Sequence, residues 1–446
     1  MTPKPAHMKI FKHILILVTF TALAACGGGD SSAPASSWVG TKQLGAANQL
    51  TFGNAVATDS SGNVYVTGST TGGLDGNTLT GTYDFFVTKY NSSGVKLFTK
   101  QMGITSSVTV GTAVATDANG NVYIAGYTTG GLDGNTKMGS THDLFVTKYD
   151  SSGVKQFTRQ LGAAGAKTVG IGLVIDVSGN FYIGGYTTGG LDGNVLTGTI
   201  DFFLTKYNSD GVKQFTRQLG TAGQETRGYG VATDVSGNVF IAGYTEGSLD
   251  GNTLTGTDDF FVTKYNSNGV KQFTRQLGAV SAATVATAVA TDDSGNVFVV
   301  GYTTGGLDGN TLTGTYDFFV TKFNSSGVKQ FTRQLGAAGG ATFGNEITID
   351  ASGNIYIGGA TGGSLDGNVQ MGTDDFFFTK FDNSGVKQYT RQLGVTGRET
   401  DSNGIAIDIN GNIYIAGSTG GGLDGNTLMG TYDFFVTKFN SSGVKQ

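Results

Sequence analysis

The sequence predicts an all-β protein, a seven-bladed β-propeller of four-stranded antiparallel blades, and two observations carry this prediction. The tetrapeptide Leu-Asp-Gly-Asn recurs seven times, at a spacing of 58 residues in every interval but one, which is 59. A fixed period of this size is typical of an array whose repeat is one supersecondary unit. The chain of 446 residues contains 75 Gly and only three Pro, with many Tyr and Phe, as in proteins of short strands and tight turns. Because stacked copies share one continuous core, we expect a single propeller domain over residues 41–446.

The first 25 residues differ in kind from the repeats. Lys9 and Lys12 precede an apolar run over residues 14–23, which is followed by small residues and the lone Cys26. This arrangement resembles a bacterial lipoprotein signal peptide, and the apolar run is too short to span a bilayer. The resemblance implies cleavage after residue 25 and attachment of lipid, such as palmitate, to Cys26. The alternative is an ordinary signal peptide with an incidental thiol.

Residues 26–40 are predicted to be the lipidated cysteine and a flexible tether, because they are rich in Gly, Ser and Ala. Gly27 stands where, by resemblance to Gram-negative lipoproteins, an inner-membrane retention signal would place Asp. We therefore expect an extracytoplasmic protein anchored to a bacterial membrane, the outer one. Without residues 1–25 the chain has 25 basic and 33 acidic residues and a formal charge of −8. Nucleic acid is accordingly not an expected partner, and a monomer is expected.

Four strands are predicted in each repeat, and in the first they cover residues 54–58, 63–68, 84–90 and 95–101. The first strand is rich in Gly and Ala, which suits the crowded centre of a propeller. The third carries large apolar residues on both faces, so both faces must be covered by neighbouring sheets. The fourth carries a Lys or Arg in nearly every copy, which suits an exposed outer edge that must not pair with another strand.

The two ends of the chain predict how the ring closes. The last repeat stops at Gln446, without the outermost strand that every earlier repeat has. The missing sequence occurs instead at residues 41–45, ahead of the first repeat. We expect this N-terminal strand to complete the last blade, so that the two ends of the chain pair.

Two segments of the repeat carry a family resemblance: DSSGNVYVTG at residues 59–68 and DFFVTKYNSSGV at residues 84–95. They resemble the seven-bladed β-propeller repeat (SBBP) family found in bacterial secreted proteins, with a strand pattern also like that of NHL-type propellers. The resemblance implies the fold and an extracytoplasmic setting. It implies no single activity, because fold does not fix function.

Six charged positions recur in the repeats, three acidic and three basic. A residue that every blade needs is expected to serve the scaffold, through turn capping and edge protection. In the first repeat these positions are Asp59, Asp75, Asp84, Lys89, Lys96 and Lys100.

A calcium site is the alternative interpretation of the long loop in each repeat. Asp75, Asn77 and Asp84, with their repeat equivalents, offer the oxygen ligands that calcium favours. The spacing fits neither an EF-hand nor a nonapeptide calcium repeat. We therefore expect no cofactor, and keep calcium as a possibility at these residues.

Catalysis is not expected. Outside the signal segment His142 is the sole histidine, and no free cysteine remains once Cys26 is lipidated, so catalytic triads and histidine-based metal sites are excluded. A pair of carboxylates could still supply a general acid and a general base. The repeats contain many acids, and the sequence singles out no such pair.

Function is expected where the copies differ. Charged residues occur in the loops that lead into the fourth and seventh blades, and the second blade has a long loop with one extra residue, which accounts for the 59-residue interval. The innermost strand begins with a variable residue that should ring the central channel, and Glu346 stands beside it where other copies have Ala or Gly. The candidate ligand-binding residues are Glu225, Arg227, Arg398, Glu399, Asp401, Lys137, His142, Tyr229 and Glu346.

These departures should share one face, because in a propeller the loops before the first strand and after the second lie together. Loops on a rigid scaffold are where binding residues usually lie. The sequence therefore favours a lipid-anchored, non-catalytic binding or structural module of the cell envelope, with a protein or glycan ligand. The alternatives are an enzyme that acts on envelope polysaccharide and a calcium-stabilised adhesion module.

Overall fold

Seven four-stranded antiparallel sheets surround a central channel in a computed structural model that describes residues 38–446. The predicted seven-bladed propeller is therefore confirmed. The predicted signal peptide, Cys26 and the tether up to residue 37 lie outside the described residues. Among the residues that are described, no helix is long and apolar enough to cross a membrane.

Each blade has an innermost, a second, a third and an outermost strand. The innermost strands are Thr51–Thr58, Thr109–Thr116, Thr168–Ile175, Thr226–Thr233, Thr284–Thr291, Thr342–Ile349 and Thr400–Ile407. The second strands are Val64–Thr70, Val122–Thr128, Phe181–Thr187, Val239–Thr245, Val297–Thr303, Ile355–Thr361 and Ile413–Thr419. The third strands are Asp84–Tyr90, Asp143–Tyr149, Asp201–Tyr207, Asp259–Tyr265, Asp317–Phe323, Asp375–Phe381 and Asp433–Phe439. The outermost strands are Lys96–Met102, Lys155–Leu161, Lys213–Leu219, Lys271–Leu277, Lys329–Leu335, Lys387–Leu393 and, for blade 7, Thr41–Leu44.

The innermost strand of blade 1 starts three residues earlier than predicted, at Thr51. The Thr51 hydroxyl is fully buried and lies 3.2 Å from that of Thr70 at the end of the second strand, while the Thr51 amide donates to Tyr432 of blade 7. These bonds extend the sheet toward the loops. The same strand contains a β-bulge, where the register shifts between Gly53 and Ala55 and leaves Asn54 as the extra residue.

The core lies between blades, as the two apolar faces of the third strand predict. In blade 1, Phe85 packs toward blade 2 and stacks on Phe145, whereas Phe86 packs toward blade 7 and stacks on Phe434, both at 5.0 Å between ring centroids. Four further pairs of this kind follow around the ring, at 5.0–5.3 Å. Leu144 of blade 2 takes the place of Phe at the one remaining contact.

The N-terminal strand closes the ring, as predicted. Thr41 pairs with Thr437 and Leu44 with Phe434, antiparallel. Gln43 accepts a hydrogen bond from the Leu423 amide and donates one to Asp433, both at 2.9 Å.

The predicted boundary between tether and propeller at residue 40 needs a correction. Trp38 is buried, with 3% of its surface exposed, and packs edge-on against Tyr414 at 5.4 Å. The Gly40 amide donates to the carbonyl of Gln446 at 2.8 Å. Residues 38–40 therefore belong to blade 7, because they bury an aromatic ring and join the two ends of the chain.

Short 3-10 turns form at the recurring Leu-Asp-Gly in four of the long loops: Leu132–Gly134, Leu249–Gly251, Leu307–Gly309 and Leu423–Gly425. In all seven repeats the aspartate of this motif has a left-handed backbone, with φ between 53° and 58°. Asp tolerates this conformation better than most residues do. The motif thus marks a turn of fixed shape.

Candidate functional site

The recurring aspartates are engaged within the scaffold. Asp59 accepts hydrogen bonds from the amides of Ser61 and Asn63 at 2.9 Å and from the Tyr65 hydroxyl at 3.0 Å. Lys89 of the third strand donates to the Ser151 carbonyl in the next blade at 2.8 Å. These side chains fix turns and join neighbouring blades.

The oxygen ligands of the calcium alternative have protein partners. Asp84 is fully buried, and its carboxylate accepts from two loop amides at 2.7 and 2.8 Å and from Gln101 at 3.0 Å. Asp75 forms an ion pair with Lys96, and the Asn77 amide donates to two backbone carbonyls. Over residues 38–446 no group of three or more His, Cys, Asp or Glu side chains is placed to hold a metal ion.

One face of the propeller, here called the loop face, is formed by the loops that enter each innermost strand and by those that join the second and third strands. Parallel bridges connect the two kinds of loop at the junction between successive blades, as between Tyr83 and Val108 and between Asp374 and Glu399. The opposite face, here called the turn face, carries the tight turns such as residues 59–63 and 91–95.

The central channel contains a cavity of about 420 Å³ lined by the innermost strands of all seven blades. The bulged residue of each innermost strand points into it. Five of these residues are Asn or Thr and donate a side-chain hydrogen bond, at 2.7–3.1 Å, to a backbone carbonyl of the next blade. The remaining two are Ile171 and Tyr229. Blades 3 and 4 thus give the channel wall an apolar and an aromatic patch.

Glu346 is the only acidic residue that lines this cavity. Its carboxylate accepts a hydrogen bond from the adjacent Ile347 amide at 3.2 Å. Burial among the seven strands raises the pKa of Glu346 to about 7. The channel therefore holds a single carboxyl group that titrates near neutral pH.

Glu225, Arg227 and Tyr229 come together at the junction of blades 3 and 4. The Arg227 guanidinium lies 2.8 Å from the Glu225 carboxylate and 4.8 Å from the centre of the Tyr186 ring. The Tyr244 hydroxyl donates to Glu225 at 3.2 Å, and the Tyr244 ring stacks on Tyr229 at 6.0 Å. This cluster connects the loop face to the channel.

Arg398, Glu399 and Asp401 lie at the junction of blades 6 and 7. The Tyr432 hydroxyl donates to Glu399 at 2.5 Å. Burial, a hydrogen bond to Glu399 and the nearby charges of Glu399 and Asp374 hold the pKa of Asp401 well above its usual range. Hydrogen bonds from Asp401 and Tyr432 lower the pKa of Glu399. The pKa values of the two carboxyl groups are thus driven apart, while Arg398 is exposed beside them.

Lys137 and His142 lie at the junction of blades 2 and 3, where Lys167 joins them. The His142 carbonyl accepts from the amide of Thr168, the residue after Lys167, at 2.9 Å. The imidazole packs edge-on against Tyr127 at 5.1 Å. Burial first, and then the charges of Lys167 and Lys137, lower the pKa of His142.

The 59-residue interval is explained by this loop. The Ser140 amide donates to the Ala166 carbonyl, as the Thr82 amide donates to the Ser107 carbonyl in blade 1. The His142 carbonyl accepts a hydrogen bond from the innermost strand of the next blade, as the Tyr83 carbonyl does. Thr141, between those two contacts, is therefore the extra residue.

The nine predicted binding residues thus lie in three junction clusters and in the channel. Sequence reasoning missed Lys167, Tyr186 and Tyr432, which complete those clusters. A comparison of the residue just before each innermost strand contains the signal that identifies Lys167. That position is Leu50, Val108, Lys167, Glu225, Ala283, Ala341 and Glu399.

A family model described as a beta-propeller repeat (SBBP) matches the chain seven times. The matched residues are 39–75, 97–133, 156–192, 214–250, 272–308, 330–366 and 388–424. Together they cover more than half of the chain, and each match joins an outermost strand to the first part of the next blade.

A curated relative is the regulatory protein FlaEY of Caulobacter vibrioides, 27% identical over 469 aligned residues that cover 94% of this chain and 47% of the relative. The chain thus spans about half the length of that protein. Among solved structures, a chain of a mitotic checkpoint complex aligns at 14% identity over 91% of this chain and 96% of its own, with a TM-score of 0.49. An ulvan lyase, a polysaccharide lyase with bound saccharide, aligns at 12% identity over 91% and 98%, with a TM-score of 0.47. At these TM-scores neither structure bears on what this chain does.

Proposed function

The chain belongs to the beta-propeller repeat (SBBP) family, and we propose that it is a non-catalytic binding or structural module of the cell envelope that uses its loop face. The observation that supports the proposal is the distribution of charged side chains. Those present in every blade, such as Asp59 and Asp84, are bonded within the scaffold. Among those that break the repeat, one set lies at three junctions of the loop face and in the channel below it, and others, such as Asp210 and Asp293, lie on the turn face.

Binding at this face is tested with three substitutions that install residues other blades already carry at the same positions. They are Glu346→Ala, as at Ala55; Arg398→Ala, as at Ala166; and Glu399→Ala, as at Ala283. Because each new residue is native to the fold, we expect the triple variant to fold. Its capture of a ligand found by screening glycans and envelope proteins should be abolished.

The matched control removes charge from the turn face. Asp210→Ser and Asp293→Ala also install residues found in other blades, at Ser152 and Ala351, and both aspartates are exposed. This control should bind the screened ligand like the natural chain. Equal binding by the triple variant would exclude the blade 6 and 7 sector of the loop face as the binding surface.

A second candidate function, an enzyme that acts on envelope polysaccharide, is favoured by the pair Glu399 and Asp401. Two carboxyl groups whose pKa values are driven apart are the usual components of acid and base catalysis. The test is release of new chain ends from purified envelope polysaccharides, with Asp401→Asn and Glu399→Gln as variants. Cleavage that both variants lose would support the enzyme, and absence of cleavage by the natural chain would rule against it on those substrates.

The membrane anchor is part of the proposal. It rests on the lipoprotein-like sequence ahead of Cys26, and it places the propeller on the outer membrane, extracytoplasmically. A fatty-acid analogue should label the natural chain in cells and should not label Cys26→Ala. Equal labelling of the two would exclude lipid attachment at this cysteine.

A further inference from the structure

Three equivalent positions flank each junction on the loop face, and their chemistry changes from one junction to the next. Two come from the loop between the second and third strands, and one precedes the innermost strand of the next blade. At the junction of blades 5 and 6 they are Leu312, Tyr316 and Ala341. At the junction of blades 2 and 3 they are Lys137, His142 and Lys167, so all three are basic.

His142 carries an unusual feature. Its Nδ1 is the one buried side-chain nitrogen or oxygen without a hydrogen-bond partner in the part of the chain that the structure describes. Such an atom costs folding free energy unless a bound group satisfies it. In the protonated ring both nitrogens are donors, so an anion is the species that would complement it.

The two lysines next to His142 are available for an anion. Lys137 donates to the Ser140 carbonyl at 3.0 Å, and Lys167 lies over the Tyr186 ring at 5.4 Å. Within residues 38–446 neither ammonium group forms an ion pair with a carboxylate. By contrast, the neighbouring cation Arg227 is paired with Glu225. Three basic side chains thus lie together on a chain whose net charge is −5.

We propose that Lys137, His142 and Lys167 form a binding site for the anionic group of an acidic glycan, a carboxylate, phosphate or sulfate carried on a sugar ring. The lysines supply charge-assisted hydrogen bonds to the anion. Tyr127, half-buried beside His142, supplies partly apolar aromatic surface for the ring itself, whereas Tyr186 is buried beneath Lys167. This inference rests on the proposed binding function and specifies its ligand class.

Binding at this site is linked to the protonation of His142. The groups that face the imidazole are Lys137 and Lys167, which disfavour its charged form, and Asp143, which favours it. A bound anion offsets the two lysines and stabilises the imidazolium. Occupancy should therefore raise the pKa of His142, and affinity should increase as the pH falls through that pKa.

The test measures binding of tetragalacturonate to the full chain by calorimetry, with a neutral tetrasaccharide and sodium sulfate as comparison ligands. The site variant is Lys137→Leu, His142→Tyr, Lys167→Ala, which reproduces the residues of the junction between blades 5 and 6. The control is Lys100→Gln, which removes a positive charge from the outermost strand of blade 1. We expect tetragalacturonate to bind the site variant at least about tenfold more weakly than the natural chain and the control. Circular dichroism should show that the site variant is folded. If the site variant does not fold, the single variant Lys167→Ala replaces it in the test and should show a partial loss of tetragalacturonate binding.

A second measurement reports on His142 directly. Its ring signals in an NMR titration, assigned by their absence in His142→Tyr, should shift to a higher pKa when tetragalacturonate is present. Equal binding of tetragalacturonate by the site variant, or an unchanged pKa, would overturn the inference. If sulfate bound as tightly as tetragalacturonate, the site would be one for free anions, and the inference of a glycan ligand would be overturned. If only the neutral tetrasaccharide bound, the inference of an acidic ligand would also be overturned, but the proposed binding function would still be supported.

Discussion

Glu346 is one residue whose environment should make the stability of the whole protein depend on pH. In the folded channel its pKa is about 7, compared with an ordinary value of 4.5. Between these values the unfolded chain releases its proton first, so stability is lost as the pH rises from about 4.5 to about 7. Above pH 7 the full cost is present, on the order of 1–3 kcal/mol. Glu346→Gln should therefore be more stable than the natural chain at pH 8 and equal to it at pH 4, as measured by urea unfolding.

The repeat itself provides a control for Glu346. Glu346→Ala, which restores the residue found at Ala55, Ala113 and Ala288, should abolish the same pH dependence. If the free energy of unfolding of each variant differed from that of the natural chain by the same amount at pH 4 and at pH 8, the carboxyl of Glu346 would not titrate as described.

At the scale of single residues, the sequence identified departures from the repeat but not their partners. Glu346 was found because it replaces Ala or Gly. Lys167 was not found, although it lies beside His142, because 25 residues separate the two in the chain. Only the register of the loops shows that they meet. A pKa shift such as that of Asp401 also depends on burial and neighbours, which a sequence does not display.

The recurring charged side chains of the outermost strands lie at an exposed edge, and they also form contacts with the next blade. In five of them an Arg lies 4.6–4.9 Å over the aromatic ring two residues before it. The Nε of each donates to a glycine carbonyl in a turn of the next blade at 2.7–3.0 Å. Blade 1 has Lys100 instead, which lies 5.7 Å over Phe98. Lys lacks the planar fork that makes stacking and hydrogen bonding compatible.

Lys100→Arg should therefore stabilise the protein by about 1 kcal/mol, the usual worth of a hydrogen bond, by adding a contact to Gly153. The reciprocal change Arg275→Lys should destabilise it by a similar amount, because it removes the bond to Gly327. Thermal unfolding of both variants checks the pair of predictions. No shift in either variant would show that the charge and not the geometry of Arg matters.

At the scale of elements, the third strand was predicted with the bounds it has in the structure, residues 84–90, because both of its faces carry large apolar residues. The innermost strand was predicted too short. Its β-bulge is a single extra residue that leaves no mark on composition, and the buried Thr51 at its start has the same character as a loop residue. What decides these boundaries is hydrogen bonding to the neighbouring blade, as between Thr51 and Tyr432.

For the whole molecule, counting strands was enough to predict a ring of seven blades closed by the N-terminus. Counting strands did not predict that Trp38 belongs to blade 7, because Gly40 occupies the position at which the other outermost strands have an aromatic residue. The ring of Trp38, two residues earlier in the chain, fills the place of the missing aromatic ring. It lies against Gly94 of blade 1 as Phe98 lies against Gly153 of blade 2, and its indole donates to the Gly40 carbonyl at 2.9 Å.

The closure should be the weakest part of the ring, because the strand that completes blade 7 has four residues where the other outermost strands have seven. Local openings of this kind occur below the free energy of global unfolding. Trp38 is the only tryptophan in the chain, so its fluorescence reports on the closure alone. In a urea titration its emission should shift to the red at lower urea than the loss of strand circular dichroism.

The matched control moves the reporter into an uninterrupted blade. In the double variant Trp38→Phe, Phe98→Trp the emission should change together with the circular dichroism, because the outermost strand of blade 1 is continuous with its neighbours in the chain. Coincidence of the two signals for both proteins would mean that the closure opens only when the ring unfolds. In that case the hydrogen bonds of Gln43 and the burial of Trp38 would make the junction of the two chain ends as stable as the seven-residue outermost strands elsewhere in the ring.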